Sequence, residues 1–233
     1  MLQLRTLLLV WGIAHVVACA QLSELSARDV YLRRLPLSTP PGTPAAPHFG
    51  LRYNVIHVDR KTETGKEVDP DSNFQPGDCL AIRLTPNRGG HLSVFNLGAA
   101  GKWQLLLPSP DAPHEPNTVA AESNTVIPSE GCFQIDETRG NELLMIVITP
   151  NYIEPGKLGD SLRDSAAKLV ASHVSGPSLA GAAPEATLVG REFMYQKVKT
   201  PLSRHEPPHS VYVAARESLP HDRLLLIVKI RHE

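Results

Sequence analysis

From Leu51 to Thr149 the apolar and β-branched residues come in short runs, cut by turn residues about every eight to twelve positions, as in strands joined by tight turns. The first run, Leu51 to Val58, puts Leu51, Tyr53 and Val55 on one face. Phe74-Gln75-Pro76-Gly77-Asp78 turns the chain into Cys79 to Leu84, where Leu80, Ile82 and Leu84 alternate with smaller or charged neighbours. Pro86-Asn87-Arg88-Gly89-Gly90 leads into His91 to Leu97, and Gly98 to Gly101 closes a hairpin onto Trp103 to Leu107. After a proline-rich loop from Pro108 to Pro116, short strands are expected at Val119 and Val126 to Ile127, then at Phe133 to Asp136 and Leu143 to Ile148.

The period changes once. Asp160 to Ala171 carries Leu162, Ala166, Leu169 and Val170 on one side of a helix. Ser172 to Ala186 is a small-residue loop, and strands at Glu192 to Lys199, Ser210 to Arg216 and Arg223 to Arg231 end the chain. In the last of these Leu226, Val228 and Ile230 face one way and Lys229 and Arg231 the other, the mark of a half-buried strand. The 21 prolines and 16 glycines favour frequent turns over long helices. Many short strands, with no helix long enough to cover a parallel sheet, predict an antiparallel immunoglobulin-like β-sandwich with one additional amphipathic helix.

The amino-terminal stretch follows another rule. Arg5, the apolar run from Leu7 to Val17 and Val16-Val17-Ala18-Cys19 have the order of a bacterial export signal. The run is shorter than the roughly 20 apolar residues that span a bilayer. Two cuts are open: a general signal peptidase acting at Ala18-Cys19-Ala20, or a lipoprotein route in which the Cys19 thiol takes the lipid. Residues 1–19 are therefore expected to be an export signal, and residues 20–50 an arm with a stiff linker through Pro36, Pro40, Pro41, Pro44 and Pro47. Residues 51–233 form the single domain: a core over 51–149, a helix over 160–171 and carboxy-terminal strands over 192–231. The expected location is periplasmic or anchored at the outer membrane.

Charged residues make up 20% of the chain and the formal net charge is −1, so no broad field favours nucleic acid or an anionic membrane surface. In an exported chain, Cys79 and Cys132, with Trp103 between them, are either an immunoglobulin-type disulfide or two buried single thiols. Each begins its own expected strand. If those strands paired antiparallel, their starts would lie at opposite ends, beyond disulfide reach.

An ordered set of short motifs resembles an uncharacterised bacterial family, domain of unknown function 4384. The set runs through Gly50-Leu51-Arg52-Tyr53, Val68-Asp69-Pro70-Asp71, Phe74-x-x-Gly77-Asp78, Leu92-x-Val94-x-Asn96, Gly101-x-Trp103, Leu106-Leu107-Pro108, Ile127-Pro128, Phe133-x-x-Asp136 and Gly140-x-Glu142. The resemblance implies an all-β accessory domain without an assigned activity, often fused to protein kinase or caspase-like peptidase modules, neither of which is read here. His91 and Ser93 stand where that family has tyrosines, and Leu107 where it has phenylalanine. No functional residue carries over.

His205-Glu206-Pro207-Pro208-His209 spells a zinc-peptidase string, which needs two imidazoles four apart on one helix face and a glutamate acting on bound water. Pro207 and Pro208 remove two helix donors, at about 3 kcal/mol per proline in a helix interior, so a solvated loop is expected. Asp69-Pro70-Asp71-Ser72-Asn73 imitates the opening of a calcium loop, but Phe74 stands where glycine is needed and Leu80 where a bidentate glutamate is needed. Gly176-Pro177-Ser178-Leu179-Ala180 lacks the strand and helix of a nucleophile elbow. His57 and His91 could share a patch with Asp78, although no spacing rule supports a metal there. Trp103 and Tyr53 read as core or rim aromatics rather than a glycan-stacking platform.

These readings point to a non-enzymatic, envelope-associated binding or accessory module without metal or cofactor. It would meet another envelope protein or a glycan through strand edges and loops. The candidate contact surface is the hairpin carrying His91, Ser93, Phe95 and Trp103, with the loop that follows it. The alternatives are a metal-dependent hydrolase built on His205, Glu206 and His209, and a structural envelope component.

Overall fold

The computed structural model describes residues 26–33, 48–98, 101–109, 117–138, 140–163, 193–198, 206–215 and 223–232. Expectations for Cys19, the proline linker, the loop after the helix, the Gly176 string and His205 lie outside these residues. Among the described residues, no helix is long and apolar enough to cross a membrane.

The chain forms a mainly β, two-sheet sandwich with a helix on each outer face. Sheet A contains β1 (Gly50–Asp59), β2 (Thr64–Val68), β4 (Cys79–Pro86), β8 (Thr125–Ile127), β9 (Phe133–Gln134), β11 (Phe193–Lys197) and β12 (Val211–Ala215). Its order is β11-β12-β1-β4-β8, with β2 also on β1 and β9 also on β4. Sheet B contains β3 (Asn73–Phe74), β5 (Gly90–Leu97), β6 (Trp103–Leu107), β7 (Thr118–Val119), β10 (Gly140–Thr149) and β13 (Leu224–His232), in the order β3-β13-β10-β5-β6 with β7 also on β5. The short β13–β3 pairing is parallel and every other ladder is antiparallel.

The period of two explains the core. Leu51, Tyr53 and Val55 of β1, with Leu80, Ile82 and Leu84 of β4, meet Leu92 and Val94 of β5, Leu144, Ile146 and Ile148 of β10, and Leu224, Leu226 and Val228 of β13. The other face of sheet B is apolar as well. Phe95, Met145, Val147, Leu225 and Ile227 pack against Leu158 and Leu162 of helix α2, residues 155–163. The central part of β13 is thus buried on both faces rather than half-buried, with Lys229 partly buried and Arg231 exposed beyond it.

Helix α2 begins five residues before its expected start. Pro155 occupies the first helical position, where its fixed φ fits and its missing N–H removes no bond, and the Leu158 N–H donates to the Glu154 carbonyl at 3.0 Å. Gly159 lets the helix sit close: a Cβ there would lie 2.9 Å from Cε1 of Phe95. On sheet A, helix α1 (Ala27–Arg33) covers Tyr212 and Ala214 with Ala27, Val30 and Tyr31.

Cys79 and Cys132 form a disulfide, with Cα atoms 5.5 Å apart. The expected separation of two antiparallel strand starts fails because β9 is only two residues long, so both of its ends lie beside Cys79. Cys79 pairs in register with Gln134 and Leu80 with Phe133, and the Ile135 N–H donates to the Asp78 carbonyl at 2.9 Å. The bridge joins neighbours within sheet A, and Trp103 lies in sheet B, so this is not the inter-sheet pin of an immunoglobulin domain.

Candidate functional site

Among the described residues, no helix covers the end of sheet A away from α1. There β1, β2, β4 and β8 turn their outward residues into an open groove of about 690 Å³. Ile56, Val58, Ala81 and Val126 make an apolar floor, kept low by Ala81 and by Gly65, whose added Cβ would lie 2.6 Å from Cγ2 of Ile56. Val126 is 40% exposed, a large apolar side chain facing solvent. Arg83 of β4 forms an ion pair with Glu67 of β2 across β1. A second cleft of about 610 Å³ continues the groove, sharing Val58, Glu63 and Gly131 and reaching Cys79 and Cys132. The disulfide segment therefore forms a common wall.

The other wall is the turn at 206–210. Its residues form a bend and turn rather than a helix, and His209 has φ of 56°. Glu206 points under α1, where it accepts hydrogen bonds from Arg28 Nε at 2.9 Å and from the Tyr212 hydroxyl at 2.7 Å. Burial, and then the neighbouring carboxylate, raise the Tyr212 phenol above its ordinary value. His209 turns its Nδ1 to within 3.9 Å of Asp69, so Glu206 and His209 serve different neighbours. Among the described residues, no group of three or more His, Cys, Asp or Glu is placed to hold a metal ion.

The calcium-like segment carries an internal cation. The Lys197 ammonium at the end of β11 donates to Asp69 and, at 2.6 Å, to Asp71, while the Asp71 N–H donates to Asp69 Oδ1 at 2.9 Å. Burial opposes ionisation of Asp69, but Lys197 and the Asp71 amide outweigh it and hold the carboxyl below its usual range. Burial likewise opposes the Lys197 charge, and the two carboxylates overcome it and raise its pKa.

Lys197→Met should cost about 2 kcal/mol near neutral pH, a figure held down by solvent screening because the two carboxylates are 35% exposed. The Asp69 contribution is present above the ordinary carboxylate pKa of about 4 and is lost as pH falls through the depressed folded value. The Lys197 contribution is present below about 10.4 and is lost as pH rises through its elevated folded value. Urea unfolding of both proteins across pH checks this: the two stabilities should differ most between those limits and converge in acid.

The sequence candidates are scattered. His57 Nε2 lies 3.1 Å from Asp78 Oδ1 on sheet A, whereas His91 is on sheet B, edge to face with Tyr152 at 5.6 Å, so the two imidazoles share no patch. Ser93 and Phe95 are buried, and they do not form the exposed hairpin surface expected from sequence, because the outward face of β5 is covered by α2. Trp103 stays half-buried and stacks on Phe95 at 5.3 Å, and Tyr53 is a core residue. The groove itself carries no sequence motif. Its signals were the small outward residues Gly65 and Ala81 beside alternating strands.

Residues 73–151 match the family described as Domain of unknown function (DUF4384). The match bears out the family resemblance read from the motifs, with its start at β3 rather than at Gly50. The DUF4384 segment supplies β3 to β10, parts of both sheets, while β1, β2, β11 and β12 complete sheet A and β13 enters sheet B between β3 and β10. The groove lies on this seam, with Ala81, Arg83 and Val126 from the DUF4384 segment and Ile56, Val58 and Glu67 from outside it. No curated protein and no solved structure matches the chain.

Proposed function

We propose that this protein is an exported binding module of the cell envelope that receives an extended segment of another envelope protein in the groove of sheet A. The observation that carries the reading is the preformed groove, apolar on its floor, charged on its rim and open among the described residues, while helices cover other parts of both outer faces. Among the described residues no Trp, Tyr or Phe lines it, which favours a polypeptide over a sugar that would stack on a ring. The Cys79–Cys132 bridge supports export, since such bonds persist in oxidising compartments, and it agrees with the signal-like residues 1–19.

A photo-reactive amino acid at Val126, introduced in the source cells, tests the site. It should give a discrete protein adduct, whereas the same group at Leu32, 53% exposed on α1, should give none. Equal labelling from both positions, or none from Val126, would refute the groove as the binding site.

A further inference from the structure

Among the described residues, β6 ends the strand order of sheet B, on the opposite side of the sandwich from the groove in sheet A. Among the described residues β6 is paired only with β5. Gln104 is exposed and Trp103, Leu105 and Leu106 are half-buried, so the edge reaches solvent. Soluble proteins blunt such edges with charge, proline or short length. β2 follows that rule with Lys66 and Glu67, and β3 is two residues long. The five residues of β6, Trp103-Gln104-Leu105-Leu106-Leu107, contain neither charge nor proline.

We infer that β6 pairs antiparallel with β6 of a second copy of this chain, about a two-fold axis at Gln104, joining the two B sheets. The register follows from which face each side chain occupies. Trp103 and Leu105 both lie on the α2 side, packed beside Phe95. Centring the ladder on Gln104 sets Trp103 opposite Leu105 of the partner subunit, and Leu105 opposite Trp103 of the partner subunit, two apolar cross-strand pairs on one face. Gln104 then meets Gln104 of the partner subunit, where two side-chain amides can exchange hydrogen bonds. Charge favours the same arrangement. Lys102 falls opposite Leu106 of the partner subunit, so the two ammonium groups stand about four residues apart along the ladder, roughly 14 Å. A parallel pairing would put them side by side. With a formal net charge of −1, long-range repulsion between two copies is small.

Sedimentation and light scattering of the purified protein across a concentration series provide the test, using the probe pair Gln104→Lys and Gln104→Glu. Position 104 is exposed, so either variant should fold and, diluted to the monomer, unfold at the temperature of the equally diluted parent. Each alone places like charges opposite one another and should weaken the dimer at least about tenfold. Mixing the two variants should restore it, a result that misfolding cannot mimic. A wild-type protein that stays monomeric, or a dimer that both variants leave unchanged, would overturn the proposal. So would a monomer whose photo-reactive group at position 104 captures a different protein, which would assign the edge to a foreign strand.

Discussion

Replacing Cys79 and Cys132 together by serine lowers the unfolding free energy by about 4 kcal/mol. The bridge closes a loop with a sequence separation of 53 residues, and removing it returns that loop's conformational freedom to the unfolded chain. The folded state has little else locally to hold the segment, since β8 has three residues and β9 two. Urea unfolding of the oxidised parent and the double variant measures the difference, and the denaturant slope should rise as the unfolded chain expands. A loss below about 1 kcal/mol would mean that the short ladders and Ile135 in the core already fix the segment. Pro128, Ser129 and Gly131 line the groove, so hydrogen exchange should also quicken at its wall in the variant.

The same bridge shows where sequence reading stops. Alternation in β1, β4 and β10 locates strands and their inward faces, because one face buried against another sheet leaves a period of two. It gives no length for a strand as short as Phe133–Gln134, and the pairing of the cysteines turned on that length. Alternation also leaves open what lies against an outward face. The signal that α2 covers sheet B was present in Met145 and Val147, and in Leu225 and Ile227, apolar residues on the supposed solvent side of two strands. Read with Ser93 and Phe95, those four positions describe a second buried face, not an exposed hairpin. β2 carries no strand signal for the opposite reason: Thr64–Val68 is a largely exposed, polar edge without alternation. The groove depends on what β2 and β8 leave uncovered, a tertiary property without a local pattern.

Glu206→Ala costs about 3 kcal/mol, and its effect reaches α1. Glu206 is 7% exposed and accepts from Arg28 and Tyr212, partners 178 and 6 residues away in the chain. Truncation strands a guanidinium and a phenol hydroxyl beneath the helix; removing one member of a buried pair costs about 3–5 kcal/mol, and Arg28, 19% exposed, recovers some hydration. The seven residues of α1 are too few to be helical alone, so the helix depends on this anchor and on the packing of Val30 and Tyr31 over Tyr212. Exchange of the amides from Ala27 to Arg33 should therefore quicken more than the global loss predicts. Glu206→Gln, which keeps the Tyr212 bond and loses the charge, should cost about half as much. Arg28→Met with Glu206→Leu should cost less than the two single changes added, because neither leaves a charge behind. Additive costs would mean the carboxylate acts through packing alone. The coupled result would instead assign Glu206 the work of docking α1 to sheet A, which already occupies both oxygens of the carboxylate that a zinc-peptidase string would need for water.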